Sequence, residues 1–150
     1  MTKLLIIYHS RTGNTEAMAE AVQEGALSAE ATVNLKKVAE ATMDDLLDCD
    51  AVIFGTPTNF GYMSGVMKEF FDQVWLNLSR KEVTKPYAAF GSGDVGGKPA
   101  ISSIAHICDE FCQYSKFHLE KAAEGVSAKR KPSPEVLEEC KELGKKMAQS

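Results

Sequence analysis

Short apolar runs alternate with stretches of helical periodicity along the whole chain, and that alternation leaves few folds open. The runs Lys3–Tyr8, Thr32–Val38, Cys49–Gly55, Pro86–Phe90 and Lys116–Glu120 have the length and apolar content of strands. Cys49–Gly55 is the clearest buried strand, and the weak alternation of Thr32–Val38 puts it near an edge. Between the runs, Asn14–Ser28 carries Ala17, Ala21, Val22 and Gly25 on one helical face. Thr42–Leu47 opens on Thr-x-x-Asp, a capping signature. Ser64–Leu78 sets Val66, Phe70, Val74 and Leu78 on one stripe, and Ala100–Tyr114 is again helical. Ser133 caps a last helix, opened by Pro134 and running to about Met147. Strands alternating with helices over short connections make a parallel sheet covered on both faces. The expectation is an α/β fold, a three-layer, doubly wound, five-stranded parallel sheet in a single domain over residues 1–150.

In such sheets ligands sit outside the carboxyl ends of the strands. The loops after the first, third and fourth strands are therefore the places to look, and they are the three most unusual stretches of the chain. The first is His9-Ser10-Arg11-Thr12-Gly13-Asn14-Thr15, which runs straight into a helix. A helix N-terminus leaves backbone N–H groups unpaired, and its dipole favours an anion. Ser10, Thr12, Asn14 and Thr15 add side-chain donors, and Gly13 lets the backbone approach closely. One such residue suffices for a plain helix cap; four of them describe a phosphate cradle. Arg11 either assists by charge or points outward. With no Gly-Lys-Ser/Thr ending, the segment is not a nucleoside-triphosphate loop.

The other two loops complete a resemblance. Thr12-Gly13-Asn14-Thr15 resembles the FMN-phosphate loop of flavodoxins. Gly55-Thr56-Pro57-Thr58-Asn59-Phe60-Gly61-Tyr62-Met63-Ser64-Gly65, with Met67–Gln73 after it, is similar to the flavin loop and helix of flavodoxin-like NAD(P)H:quinone reductases of the tryptophan-repressor-binding-protein type. Gly91–Gly97 sits where that group has a glycine-rich third loop. The resemblance implies a flavodoxin-like strand order 2-1-3-4-5 and FMN as cofactor. It implies that Ser10, Arg11, Thr12, Gly13, Asn14 and Thr15 hold the phosphate. It also implies that Pro57, Thr58, Asn59, Phe60, Gly61 and Tyr62 lie along the isoalloxazine, whose pyrimidine side meets Ser92, Gly93, Asp94 and Gly97. The chain departs from the reductase group in two ways: it leaves little room for that group's inserted segment, and Phe111–Tyr114 lacks the histidine placed near the flavin. His106 lies two turns earlier and reads as an ordinary helical histidine.

A rival pattern overlaps the third loop. Gly91-x-Gly93-x-x-Gly96 fits the dinucleotide fingerprint, with Glu120 near the distance of a ribose-binding carboxylate. Only two elements follow it, and an NAD-binding Rossmann-like fold would leave the cradle at residues 10–15 unexplained.

The implied activity is FMN-dependent oxidoreduction, with NAD(P)H as donor and a quinone or similar small acceptor. Phe60–Met63 and Trp75 are candidate walls of a slot, and no catalytic side chain is needed beyond the flavin. The alternative is a flavodoxin-type carrier passing single electrons between redox-protein partners. Self-association is compatible with either. The net charge of −4 speaks against nucleic acid. The one basic cluster, Lys129-Arg130-Lys131, reads as a solvated loop. The N-terminal apolar run is too short for a signal peptide or a membrane span, so a cytoplasmic location is expected. The four cysteines form no CxxC pair and read as reduced thiols with no metal.

Overall fold

A computed structural model describes all residues, Met1–Ser150. The strands are β1 (Lys3–Tyr8), β2 (Thr32–Lys37), β3 (Ala51–Pro57), β4 (Val83–Gly93), β5 (Phe117–Lys121) and β6 (Val126–Lys129). The helices are α1 (Asn14–Ser28), α2 (Met43–Asp48), α3 (Gly65–Leu78), α4 (Lys98–Tyr114) and α5 (Pro134–Ala148). Every strand pair is parallel, in the expected order β2-β1-β3-β4-β5.

One strand escaped the sequence reading. β6 also pairs with β4, against Phe90–Gly93, while β5 pairs with Val83–Tyr87. The fifth sheet position is thus one edge strand interrupted at residues 122–125. Val126-Ser127-Ala128-Lys129 is too short and too polar to show a period, and only its ladder with β4 makes it a strand. β4 is also longer than its apolar run, because Gly91, Ser92 and Gly93 continue the ladder beside β3 and β6.

Alternation along β1 builds two cores. Leu4 and Ile6 face one side with Met18 and Val22 of α1 and Met147 of α5. Leu5 and Ile7 face the other with Phe54, Phe71, Ile104 and Phe117. A strand buried on both faces needs an unbroken apolar run, which is why β1 and β3 were legible. α1 and α5 meet backbone to backbone: a Cβ on Gly25 would lie 1.9 Å from the Lys141 carbonyl oxygen, and one on Gly144 2.0 Å from that of Val22. The α2 capping box forms as expected, with Thr42 Oγ1 accepting from Asp45 N and Asp45 Oδ2 from Thr42 N.

The stripe on α3 needs correction. Met67, Phe70, Phe71, Val74 and Leu78 are buried, but Val66 is 45% exposed. Ser64 caps the helix by accepting from Met67 N, so its first turn stands above the end of the sheet and Val66 overhangs the rim. All parallel strands point their carboxyl ends the same way, so residues 9–13, 58–64 and 94–97 gather at one mouth.

Candidate functional site at the carboxyl end of the sheet

β1 ends at Tyr8, and His9 N donates to Gly55 O at 3.0 Å, holding the first loop against β3. Gly13 precedes α1 with φ +96°, a conformation glycine adopts without steric cost. Gly13 N donates to Ser10 Oγ at 3.1 Å. The N–H groups of Arg11, Thr12, Asn14, Thr15 and Glu16 have no acceptor in the chain. Exposed amides at a helix N-terminus, with the Thr12 hydroxyl and the Arg11 guanidinium at the surface beside them, suit a multiply charged oxyanion. Thr15 behaves differently. It is buried, and its Oγ1 lies 2.8 Å from Ser92 Oγ, itself buried, so the first and third loops are tied together beneath the surface.

The second loop folds as a two-residue hairpin. Asn59 N donates to Tyr62 O at 2.8 Å and Tyr62 N to Asn59 O at 3.1 Å, with φ of +53° at Phe60 and +73° at Gly61. Positive φ at both central residues defines a type I′ turn, which favours Asn-Gly and not a bulky first residue. Phe60 nevertheless occupies it, with its ring wholly in solvent. The base of this turn is fixed. Thr58 N donates to Ser92 O at 2.7 Å, Thr58 Oγ1 to Gly96 O at 3.0 Å, and Ser64 N to Thr56 Oγ1 at 2.9 Å. Pro57, Thr58 and Asn59 are half-buried, whereas Phe60, Gly61 and Tyr62 stand at the rim.

The third loop is shorter than its glycines suggest, because it turns only at Asp94–Gly97. Gly96 N closes onto Gly93 O at 3.1 Å, with φ of +104° at Gly96. A Cβ on Gly97 would lie 2.1 Å from Gly91 O, so the two segments touch through their backbones. β6 braces this loop: Gly97 N donates to Ser127 Oγ at 2.8 Å, and Arg130 N to Gly93 O at 2.8 Å. Gly93 is half-buried and Asp94 is exposed.

Sequence reasoning passed over His9. Its Nδ1 is the one buried side-chain nitrogen or oxygen in the chain without a hydrogen-bond partner. It borders a cleft of about 360 Å³ shared with Ser10, Arg11, Gly13, Lys37 and Val66. Burial, then the Arg11 charge, push its imidazole below the ordinary histidine pKa. Its only signal in the sequence was its place directly after the first strand.

Other expected residues lie elsewhere. Trp75 packs edge-on against Phe111, ring centroids 4.8 Å apart, and Met63 is buried, so neither walls a slot at the mouth. His106 is exposed, with Nε2 3.4 Å from Glu110 Oε1, as an ordinary helical histidine would be. Glu120 pairs in register with Pro86, at the far end of β4 from Gly91–Gly96. The dinucleotide fingerprint therefore does not assemble: the edge strand runs on into β6, and its carboxylate stays behind.

Comparison with known proteins gives the same picture. The family model for flavodoxin matches residues 6–144. A flavodoxin of Aquifex aeolicus (strain VF5) is 39% identical over 163 aligned positions, covering 99% of this chain and 86% of that protein. An NAD(P)H dehydrogenase (quinone) of Archaeoglobus fulgidus is 31% identical over 185 positions, covering 99% of this chain and 97% of that protein. That alignment exceeds the 150 residues present here, so the relative carries stretches with no counterpart in this chain. A solved structure described as a flavodoxin from the domain Archaea superposes with a TM-score of 0.81 at 29% identity, covering 98% of this chain and 96% of that one. No helix is long and apolar enough to cross a membrane. Strand order, loop geometry and these matches converge: the chain belongs to the flavodoxin family, whose cofactor is FMN.

Proposed function

We propose that this chain binds FMN at the mouth of the sheet and carries electrons between redox-protein partners. Bound FMN supplies reversible one- and two-electron chemistry; the protein supplies its seat and its electrostatics. The free amides of Arg11, Thr12, Asn14, Thr15 and Glu16, with the hydroxyls of Ser10 and Thr12, would hold the phosphate. Arg11 would offset its charge. The turn Asn59–Tyr62 would flank the ring on one side, and Gly93, Asp94 and Gly97 on the other, their backbones offering hydrogen bonds to its polar edge. Thr15 and Ser92 would set the spacing between the two halves of that seat from below. The buried, unpartnered Nδ1 of His9, in one cleft with Ser10 and Arg11, supports a polar ligand at this seat.

The observation that carries the choice of carrier is the rim. Phe60 projects wholly into solvent, and neither Met63 nor Trp75 rises behind it to close a substrate slot. An open edge suits contact with another protein. The stretches that the quinone-reducing relative carries in addition are missing here.

A second reading keeps its own support. Similarity to an NAD(P)H dehydrogenase (quinone) extends over nearly the full length of both chains, which favours two-electron transfer from NAD(P)H to a quinone-like acceptor. One titration separates the two. Spectroelectrochemical reduction in two resolved one-electron steps, with no oxidation of NADPH, supports the carrier. A single two-electron step with quinone-dependent NADPH oxidation supports the enzyme. The FMN seat is tested by Ser10→Ala with Thr12→Ala, which should abolish the yellow colour of the purified protein.

A further inference from the structure

The edge strand beside β4 is broken, and the break opens a cavity. β5 ends in register with Tyr87 and β6 begins in register with Phe90, so Ala122, Ala123, Glu124 and Gly125 stand against only Ala88 and Ala89. The extra residues leave the ladder and bulge away from it. Gly125 brings the chain back: a Cβ there would lie 2.9 Å from Ala89 O. Between the bulge and α4 lies a cavity of about 320 Å³, at the small end of ligand pockets.

The break strands a main-chain donor. Tyr87 O accepts from Ala122 N and Gly93 O from Arg130 N, whereas Ser92 O accepts from Thr58 N on the β3 side. Successive residues of a central strand pair with opposite neighbours, so Ala89, like Tyr87 and Gly93, turns its N–H toward the edge. There it meets the interruption. Ala89 is buried and lines the cavity, yet its N–H has no acceptor in the chain. Buried amides without a partner are rare, because losing water uncompensated is costly. The carbonyls of Ala122, Ala123 and Glu124, released from the ladder, likewise accept no hydrogen bond. Missing from this point of the sheet is one peptide unit, a donor and an acceptor together.

Charge does not select an ion here. Lys121 Nζ is held by Glu124 Oε1 at 2.9 Å. Lys98, which also lines the cavity, is offset by Glu135, Glu138, Glu139 and Glu142, which flank Glu124–Val126 from the α5 side. The unpaired N–H of Ala89 repels a cation. Tyr87, Ile101 and Ala105 supply apolar wall for an organic body.

We propose that the break binds a small uncharged carboxamide with an apolar body. Its carbonyl oxygen accepts from Ala89 N, its NH2 group donates to the free carbonyls of residues 122–124, and its body lies against Tyr87, Ile101 and Ala105. The carboxamide stands in for the peptide unit that the ladder lacks. Ala89 lies four residues before the end of β4 at Gly93, so the site is apart from the proposed FMN seat and does not depend on it.

Benzamide is the probe, added to the protein as purified while amide proton–nitrogen NMR spectra are recorded. The Ala89 and Gly125 signals should shift, Ala89 downfield, and saturate in the millimolar range, which suits a fragment held by two hydrogen bonds. Benzoate, charged and without an N–H, should bind about tenfold more weakly, since it leaves carbonyls of the bulge unpaired. Ala105→Phe fills the cavity from α4 and should weaken benzamide about tenfold by overpacking. Ser102→Phe, at an exposed position on the same wall, repeats that test should the first variant fail to fold. Four results overturn the proposal. One is no saturable shift at Ala89 up to the solubility of benzamide, which would leave its N–H to a trapped water. Another is benzoate binding as tightly as benzamide. The third is an undiminished shift in a folded filled variant. The last is a shift confined to residues 9–15 and 58–64, which would put the ligand at the mouth. The outcome is the same question whether or not the protein carries FMN, so failure of the FMN reading is scored separately, by the colour of the protein.

Discussion

Thr15 Oγ1 and Ser92 Oγ lie 2.8 Å apart with both residues buried, joining the start of α1 to the end of β4 across 77 positions of sequence. Two loops that would hold opposite ends of one cofactor are thus set at a fixed distance. Removing one hydroxyl leaves the other buried without its partner, which costs about 1–3 kcal/mol. Thr15→Val is expected to destabilise the FMN-free protein by that amount in urea unfolding. Adding Ser92→Ala to Thr15→Val should recover part of the loss, and simple additivity of the two changes would show that the pair is not coupled.

His9 makes stability depend on pH. Its folded pKa lies below the ordinary 6.5, so the unfolded chain binds the proton more tightly than the native protein does. The contribution is fully present above the unfolded value. It declines as pH falls from 6.5 through the lower folded pKa. Unfolding midpoints measured across that interval should drop toward acid in the native sequence and flatten in His9→Gln. An identical slope in both would place the titration on another group.

Phe60 holds a strained backbone and packs on nothing within the chain, as its complete exposure shows. A left-handed conformation costs a residue with a Cβ about 1–2 kcal/mol, and asparagine tolerates it better. Phe60→Asn should therefore raise the Tm of the FMN-free protein while weakening FMN binding, measured by fluorescence quenching. Strain stored where a ligand is held would explain that opposition. A lower Tm would mean that the turn is not strained.

The α1–α5 contact should tolerate no side chain at Gly144. Ala at this position would put its Cβ 2.0 Å from the Val22 carbonyl oxygen, and main chain has to move. Gly144→Ala is expected to cost about 1–3 kcal/mol in denaturant unfolding. Gly65→Ala is the control, because nothing lies within 4 Å of its added Cβ, and it should leave stability nearly unchanged.

Much of this protein was written locally. The unbroken apolar runs of β1 and β3 announce strands buried on both faces, and Thr42 with Asp45, or Ser133 with Pro134, mark helix starts through caps that lie within four residues. The loop proposed as the phosphate cradle is local in the same way: Ser10–Thr15 are neighbours in sequence, and Gly13 N donates to Ser10 Oγ within it. Sequence periodicity carries such features because the interactions that make them are local. Tertiary structure decided the rest. β6 is a strand because β4 lies beside it, Val66 is exposed because α3 starts above the end of the sheet, and Trp75 packs on Phe111 where it had been expected at the mouth. His9 gained a buried, unpartnered nitrogen, and Lys129–Lys131 a fixed place beside Gly93, only when strands distant in sequence came together. Hydrogen bonds between strands and burial depend on which segments meet, and a one-dimensional pattern does not encode that meeting.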